Sequence, residues 1–339
     1  MDTDWIGKWY EIAAERGVNI TASLGKVNLE NNQVDWYDFS HAQMDGIGAL
    51  VKRLRELGFV IEQTPQSREL LAPTLLKRPF IFLKGIANLK KRTIAWQEQV
   101  NGGSGELQGR LQGELQGELQ GGLQEDPHNF PWTTFSRAET QQLKDLAKAQ
   151  SVSLNSLILG VFNRILLTEL VVGEQVGGWL FPVNMRGPIK KSNEHANHSS
   201  AVAIDLNVHS NAREIHQKIK TELVNKSHWS NWWAYHIAKY VSTNKMRKLS
   251  LNSAETSFWF GTFSNMGEWP MPGTDKRSAV DTSNEAWLCV PPGTKNYPLS
   301  IGLITWYGKL SITLKVHQSI CADRTRVEKF LKKFRQDIF

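Results

Sequence analysis

From Gly105 to Gln124 the chain repeats a four-residue unit, Gly-Glu-Leu-Gln, with changes only at its second position. The repeat stacks Leu107, Leu111, Leu115, Leu119 and Leu123 in a slowly drifting helical row, yet it places a glycine at every fourth residue. Each glycine costs ~1 kcal/mol against alanine inside a helix. The segment therefore reads as a flexible linker that flickers into helix, not as a core element. It divides the chain into residues 1–100, a low-complexity linker 101–129, and residues 130–339. Any compact fold has to bring these two unequal parts together across it.

The 339 residues are enough to bury a substantial core, and 40% hydrophobic with 22% charged residues is ordinary for a soluble globular protein. No stretch approaches the ~18 uncharged apolar residues of a membrane span. The acidic start, Met1-Asp-Thr-Asp-Trp5, has no secretory signal pattern. Two cysteines, Cys289 and Cys321, do not make a disulfide framework, so a reducing cytoplasm is expected. The net charge of +7 could serve an anionic partner. Its clusters, at Lys52 to Arg55, Lys84 to Arg92 and Lys329 to Arg335, read equally well as solvated helix faces. No nucleic-acid module, glycine-rich phosphate loop or dinucleotide fingerprint is visible.

Helical spacing predicts helices over residues 4–16 and 47–57, and an amphipathic element over 78–92. Past the linker it predicts helices over Arg137–Ala149, over Leu154–Leu170 behind Ser153 as N-cap, over Arg213–Val224 and from about Asp323 to the end. Strands are expected at Gln33–Ser40, Val176–Val183, Ser200–Leu206 and Ser257–Phe263. A hairpin is expected from Leu299–Trp306 and Leu310–Val316 around Gly308. An aromatic helix, His228–Val241, carries Trp229, Trp232, Trp233, Tyr235 and Tyr240. It reads as core packing, or as the lining of a lipophilic channel or a membrane-contacting face. Alternating strands and helices predict an α/β sandwich.

The chemistry is concentrated at one corner. His41-Ala-Gln-Met-Asp45-Gly46 joins a strand to an amphipathic helix, so a histidine can face a cavity while local backbone holds it, and Gly46 eases the turn. Taken alone, His41 is as well explained as a core histidine bonded to backbone, and Asp45 as a helix N-cap.

The motif resembles the HxxxDG signature of the CoA-dependent acyltransferases, and later segments keep the same order. That superfamily includes chloramphenicol acetyltransferase, plant alcohol acyltransferases, peptide-synthetase condensation domains and bacterial wax ester synthase/diacylglycerol acyltransferases. Ser153–Ile165 resembles the helix that follows the family's crossover. Phe181-Pro-Val-Asn-Met-Arg186 is similar to the Pro-Val-x-x-Arg segment of the wax ester synthase branch, and Phe263-Ser264-Asn265 to its Ser-Asn strand end. The 299–316 hairpin and the closing helix match its C-terminus. The resemblance covers roughly residues 33–58 and 130–339. It departs at Ser40, where many members have a second histidine, and in having only forty residues ahead of His41.

The resemblance implies a chloramphenicol acetyltransferase-like α/β (α+β) two-layer sandwich of two related lobes, the N-terminal one shortened. That lobe would be rebuilt from residues 59–130 or completed by a partner chain or a second copy. It implies transfer of an acyl group from a CoA thioester to a hydroxyl or amine acceptor, either a small molecule or a lipophilic one. His41 would then be the general base and Arg186 the partner of Asp45, with Ser264 or Asn265 donating to the oxyanion. Acyl-CoA is expected as co-substrate, with neither metal nor prosthetic group. A condensation-type domain using carrier-protein thioesters, and a non-catalytic binding protein on the same fold, are the alternatives. His195, His198, His209 and His216, with Glu194, match no zinc spacing and read as solvated loop histidines. Cys289 and Cys321 read as buried and inert.

Overall fold

The computed structural model describes residues 4–67, 71–87, 93–97, 128–270 and 284–339. The repeat and the linker, except for residues 128 and 129, lie outside the described residues, as does the end of the 78–92 element.

The fold is mixed α/β with two sheets. In the N-terminal part, α1 (Trp5–Ala14) precedes an antiparallel pair, β1 (Thr21–Asn28) and β2 (Gln33–Ser40), followed by α2 (Gly46–Glu56) and α3 (Arg78–Ala87). The C-terminal part runs β3 (Trp132–Thr134), α4 (Arg137–Ala149), α5 (Leu154–Leu170), β4 (Gly177–Asn184), β5 (Ser199–Leu206), α6 (Ala212–Val224), α7 (Ser227–His236), α8 (Thr243–Thr256), β6 (Gly261–Trp269), β7 (Glu285–Val290), β8 (Leu299–Trp306), β9 (Lys309–Val316) and α9 (Arg324–Asp337). The larger sheet has the order β3-β9-β8-β6-β4-β5, with β6 parallel to both neighbours. The smaller has the order β2-β1-β7, so a strand from far down the chain completes the N-terminal sheet.

Alternation along β8 shows how the layers stack. Leu299, Ile301 and Leu303 enter a core shared with α4, α5 and α9, whereas Ile304 and Trp306 enter a second core shared with β1, β7 and α2. Every residue of β8 is buried, the small Ser300, Gly302 and Thr305 included, so both of its faces are covered. On its second face Gly302 lets β7 approach at backbone distance, because a Cβ there would sit 1.8 Å from the Cys289 carbonyl oxygen. Thr313 Oγ1 donates to that same carbonyl at 2.5 Å.

Most expected elements form where periodicity places them. Ser136 makes a full capping box with Glu139, and Ser153 accepts from the Ser156 amide as the N-cap of α5. Tyr307 and Gly308, with φ of 46° and 79°, form the two-residue turn between β8 and β9. Two expectations shift. The strand expected at Ser257–Phe263 begins only at Gly261 and runs to Trp269, since residues 257–260 form an irregular exit from α8, so Ser264 and Asn265 lie inside a strand and not at its end. The aromatic helix ends at His236 and continues as a 3-10 turn, Ile237–Tyr240. Trp229 and Trp232 pack with Ile6 and Met185 and are core, Trp233 and Tyr235 pack against them partly buried, and Tyr240 is exposed. Both cysteines are buried and free, and burial pushes the Cys289 thiol up to about 12. No single helix among the described residues is long and apolar enough to cross a membrane.

Candidate active site

Strand β2 ends at Ser40, and the turn that follows carries His41 to the N-terminus of α2. Main-chain bonds fix the residue on both sides: the His41 amide donates to the Ile20 carbonyl (3.2 Å), and its carbonyl accepts from Asn197 Nδ2 (2.8 Å). The ring is bounded by aromatics. Tyr10 stacks on it at 5.1 Å between centroids with 19° between planes, and Phe39 meets it edge-on at 5.6 Å. Tyr10 comes from α1, which presses against the turn at Gly7; a Cβ at Gly7 would lie 2.2 Å from the Ala42 carbonyl oxygen. His41 is half-buried as a residue, but its Nδ1 is closed off and has no hydrogen-bond partner among the described residues. Burial pushes the imidazole below its ordinary 6.5, against an upward pull from the Asp45 charge and the Asn197 amide. The ring is therefore neutral at neutral pH, the form that can accept a proton.

Asp45 does a different job. It caps α2 by accepting from the Gly48 amide (2.8 Å), and it accepts a second backbone bond from His198 (2.8 Å). The Arg186 guanidinium grips both carboxylate oxygens, Nη1 to Oδ2 and Nη2 to Oδ1, each at 2.9 Å. Burial alone would push this carboxyl up; Arg186, with the Gly48 and His198 amides, outweighs that and holds it below the usual carboxylate range. Arg186 is satisfied in turn by the carbonyls of Glu194 (3.0 Å) and Ala196 (3.1 Å) and by Asn184 Oδ1 (3.3 Å). Both side chains are 2% exposed. Two backbone amides and both prongs of the guanidinium thus engage the carboxylate, which ties the start of α2 to the segments carrying Arg186 and His198.

Gly46 and Gly48 divide the steric work. A Cβ at Gly46 would meet only the flexible end of Met266, 2.9 Å away, whereas one at Gly48 would lie 2.2 Å from the His195 carbonyl oxygen. Gly46 does not need a left-handed conformation, so its role is room for Met266 and not a special turn. Met266 also locates the other expected residues. Ser264 shares its strand face, toward the α2 side, while Asn265 falls on the opposite face with Phe263. The Asn265 amide is spent there, donating to Asn155 Oδ1 (2.7 Å) and accepting from the Gly267 amide (2.8 Å). The structure thus gathers His41, Asp45, Gly46 and Arg186, brings Ser264 to their side of β6, and leaves Asn265 tied to α5.

Sequence reasoning overlooked Tyr10 and the 193–198 segment. That segment reads as solvated loop, yet Asn197 and His198 are 1% and 2% exposed. Its histidines are occupied without metal: His195 Nδ1 with the Gly48 carbonyl (3.2 Å) and His198 Nδ1 with the Ala196 carbonyl (2.8 Å). His209 pairs with Glu174, and His216 accepts from the Ser153 amide. Among the described residues no group of three His, Cys, Asp or Glu could hold a metal ion.

Neither a protein-family model nor a curated protein sequence matches the chain. Solved structures do. They include the trichothecene 15-O-acetyltransferase of Fusarium sporotrichioides (12% identity, TM-score 0.48, covering 82% of this chain and 55% of that one). A starter condensation domain of rhizomide synthetase, solved with C8-CoA and Leu-SNAC, matches at 13% identity and TM-score 0.49 over 89% of this chain and 64% of that one. The first condensation domain of the CDA synthetase matches at 13% identity and TM-score 0.47 over 97% and 70%. These neighbours are of the acetyltransferase and condensation-domain kinds that the HxxxDG segment resembles. The chain spans only part of the length of these three, 55%, 64% and 70%.

Proposed function

We propose that this chain transfers an acyl group from a CoA thioester to a hydroxyl or amine acceptor, with His41 as general base. The observation that carries the reading is the separation of roles at the corner. Asp45 is saturated by Arg186 and two backbone amides, so His41 stands beside it as a neutral, singly acting imidazole. In the proposed step His41 takes the acceptor proton as the acceptor oxygen or nitrogen bonds to the thioester carbonyl carbon. The tetrahedral intermediate collapses with cleavage of the carbon–sulfur bond, and the thiolate leaves with the proton returned by the imidazolium. Ser264, on the α2-facing side of β6, is the proposed donor to the oxyanion.

The test is thiol release from acyl-CoA esters of graded chain length, with hydroxyl and amine acceptors, by the wild type and His41→Ala. Release that depends on acceptor and on His41 supports the proposal. Release only from acyl groups carried on a phosphopantetheine protein would move the donor to the condensation type. No release from either donor, in a folded protein, would leave the non-catalytic binding reading.

A further inference from the structure

Two buried polar atoms of the corner make no hydrogen bond of ordinary geometry to any described residue, and they belong to residues already joined by another bond. One is Nδ1 of His41, the only nitrogen of that ring that is both buried and unpaired; the other is Oδ1 of Asn197. The orientation of the Asn197 amide follows from its surroundings. Its Nδ2 faces two acceptors, the His41 carbonyl at 2.8 Å and Asp4 Oδ2 at 3.3 Å, so a flipped amide would set oxygen against oxygen twice. The backbone is pinned as well. Asn197 N donates to Asp4 Oδ2 at 3.0 Å, and Lys191 Nζ donates to the Asn197 carbonyl at 2.6 Å. The residue sits between Ala196, whose carbonyl holds Arg186, and His198, whose amide holds Asp45. The loop that locks the clamp therefore also delivers Asn197 alongside His41.

An amide oxygen can only accept. An imidazole Nδ1 beside it is complementary when it carries the proton, and opposed to it when it carries the lone pair.

We propose that Asn197 is a positioning residue that fixes the His41 tautomer: its Oδ1, not bonded to the ring in this structure, takes Nδ1–H as its donor once the ring settles against it, and Nε2 is left with the lone pair. The role assigned to Nε2 rests on the acyl-transfer reading, whereas the tautomer itself does not. Asn197 touches no reacting atom. It acts by ensuring that the nitrogen offered for proton abstraction is the unprotonated one.

The experiment is a long-range 1H–15N correlation spectrum of histidine-labelled protein at about pH 8, where a histidine of ordinary or lowered pKa is neutral. The His41 signals are assigned by their loss in His41→Gln. The expected result is a pyrrole-type Nδ1 and a pyridine-type Nε2 for His41, with a shift toward the opposite or a mixed tautomer in Asn197→Leu. A wild-type spectrum with the proton on Nε2 overturns the proposal, and that measurement needs no Asn197 variant to fold. An unchanged tautomer in a folded Asn197→Leu overturns it equally. If acyl transfer is established, Asn197→Leu should lower kcat ~10²-fold with KM within about twofold. A loss confined to KM would instead assign Asn197 to substrate binding. A correct tautomer in a protein that consumes no thioester would sink the function reading and leave this inference standing.

Discussion

The carboxylate of Asp45 meets the guanidinium of Arg186 in a two-pronged pair, both bonds 2.9 Å long, across 141 positions of sequence and with both side chains 2% exposed. Breaking one side of such a pair strands a charge in the interior, which typically costs about 3–5 kcal/mol. Arg186→Ala should therefore lower the free energy of unfolding by about that much, read from denaturant titration. A loss under about 1 kcal/mol would mean that water reaches Asp45 and that the clamp is not structural.

The two glycines of α2 should respond unequally to a methyl group. Gly48→Ala drives a Cβ into the His195 carbonyl, where backbone must move, and should cost about 1–3 kcal/mol of stability. Gly46→Ala meets only the Met266 thioether and should cost less. Comparing the thermal midpoints of the two variants checks this; equal midpoints would refute the steric assignment.

If His41 is the base as proposed, it sets the pH dependence of acyl transfer. Burial holds its pKa below 6.5, so the acid limb of kcat/KM should bend below that value and the rate should stay flat from there through neutrality. A limb centred above 6.5 would point to a different base.

A separate pH effect should appear in stability. His228 is fully buried, neither ring nitrogen has a hydrogen-bond partner among the described residues, and burial pushes its pKa down to about 4. As pH falls below 6.5 the unfolded chain takes up the proton first, so stability declines until the folded protein also protonates near 4. The whole effect is on the order of 3 kcal/mol. In His228→Phe the slope between those limits should shrink, as followed by urea midpoints at several pH values. An unchanged slope would assign the acid lability elsewhere, with His317, also lowered to about 4, as the next residue to replace.

What the sequence made legible follows from locality. The apolar helix Leu154–Leu170, the hairpin around Gly308 and the corner at His41 are each specified by residues within a few turns of one another, and each forms as expected. At Asp45 two readings offered as alternatives turn out to be simultaneous, since one oxygen caps Gly48 while both hold Arg186. Strands β1 and β7 escaped notice because their pairing is with distant partners, and Gly25, Lys26 and Asn28 give β1 little strand character of its own. Asn197 escaped for a similar reason. A run of Asn, Glu, His and Ser looks solvated until a buried arginine supplies a use for its carbonyls.

The insertion of β7 beside β1 also has a consequence for synthesis. A growing chain makes the Thr21–Ser40 hairpin early, but the strand that closes its far edge is not complete until Val290 has been added. At ~5–20 residues per second that interval is roughly tens of seconds. Throughout it the nascent hairpin carries an open strand edge, and Asp45 waits a little over half as long for its arginine. The half of the corner that bears the histidine thus emerges as an unfinished surface, the kind of edge that chaperones shield and that other nascent chains pair with when it is left bare.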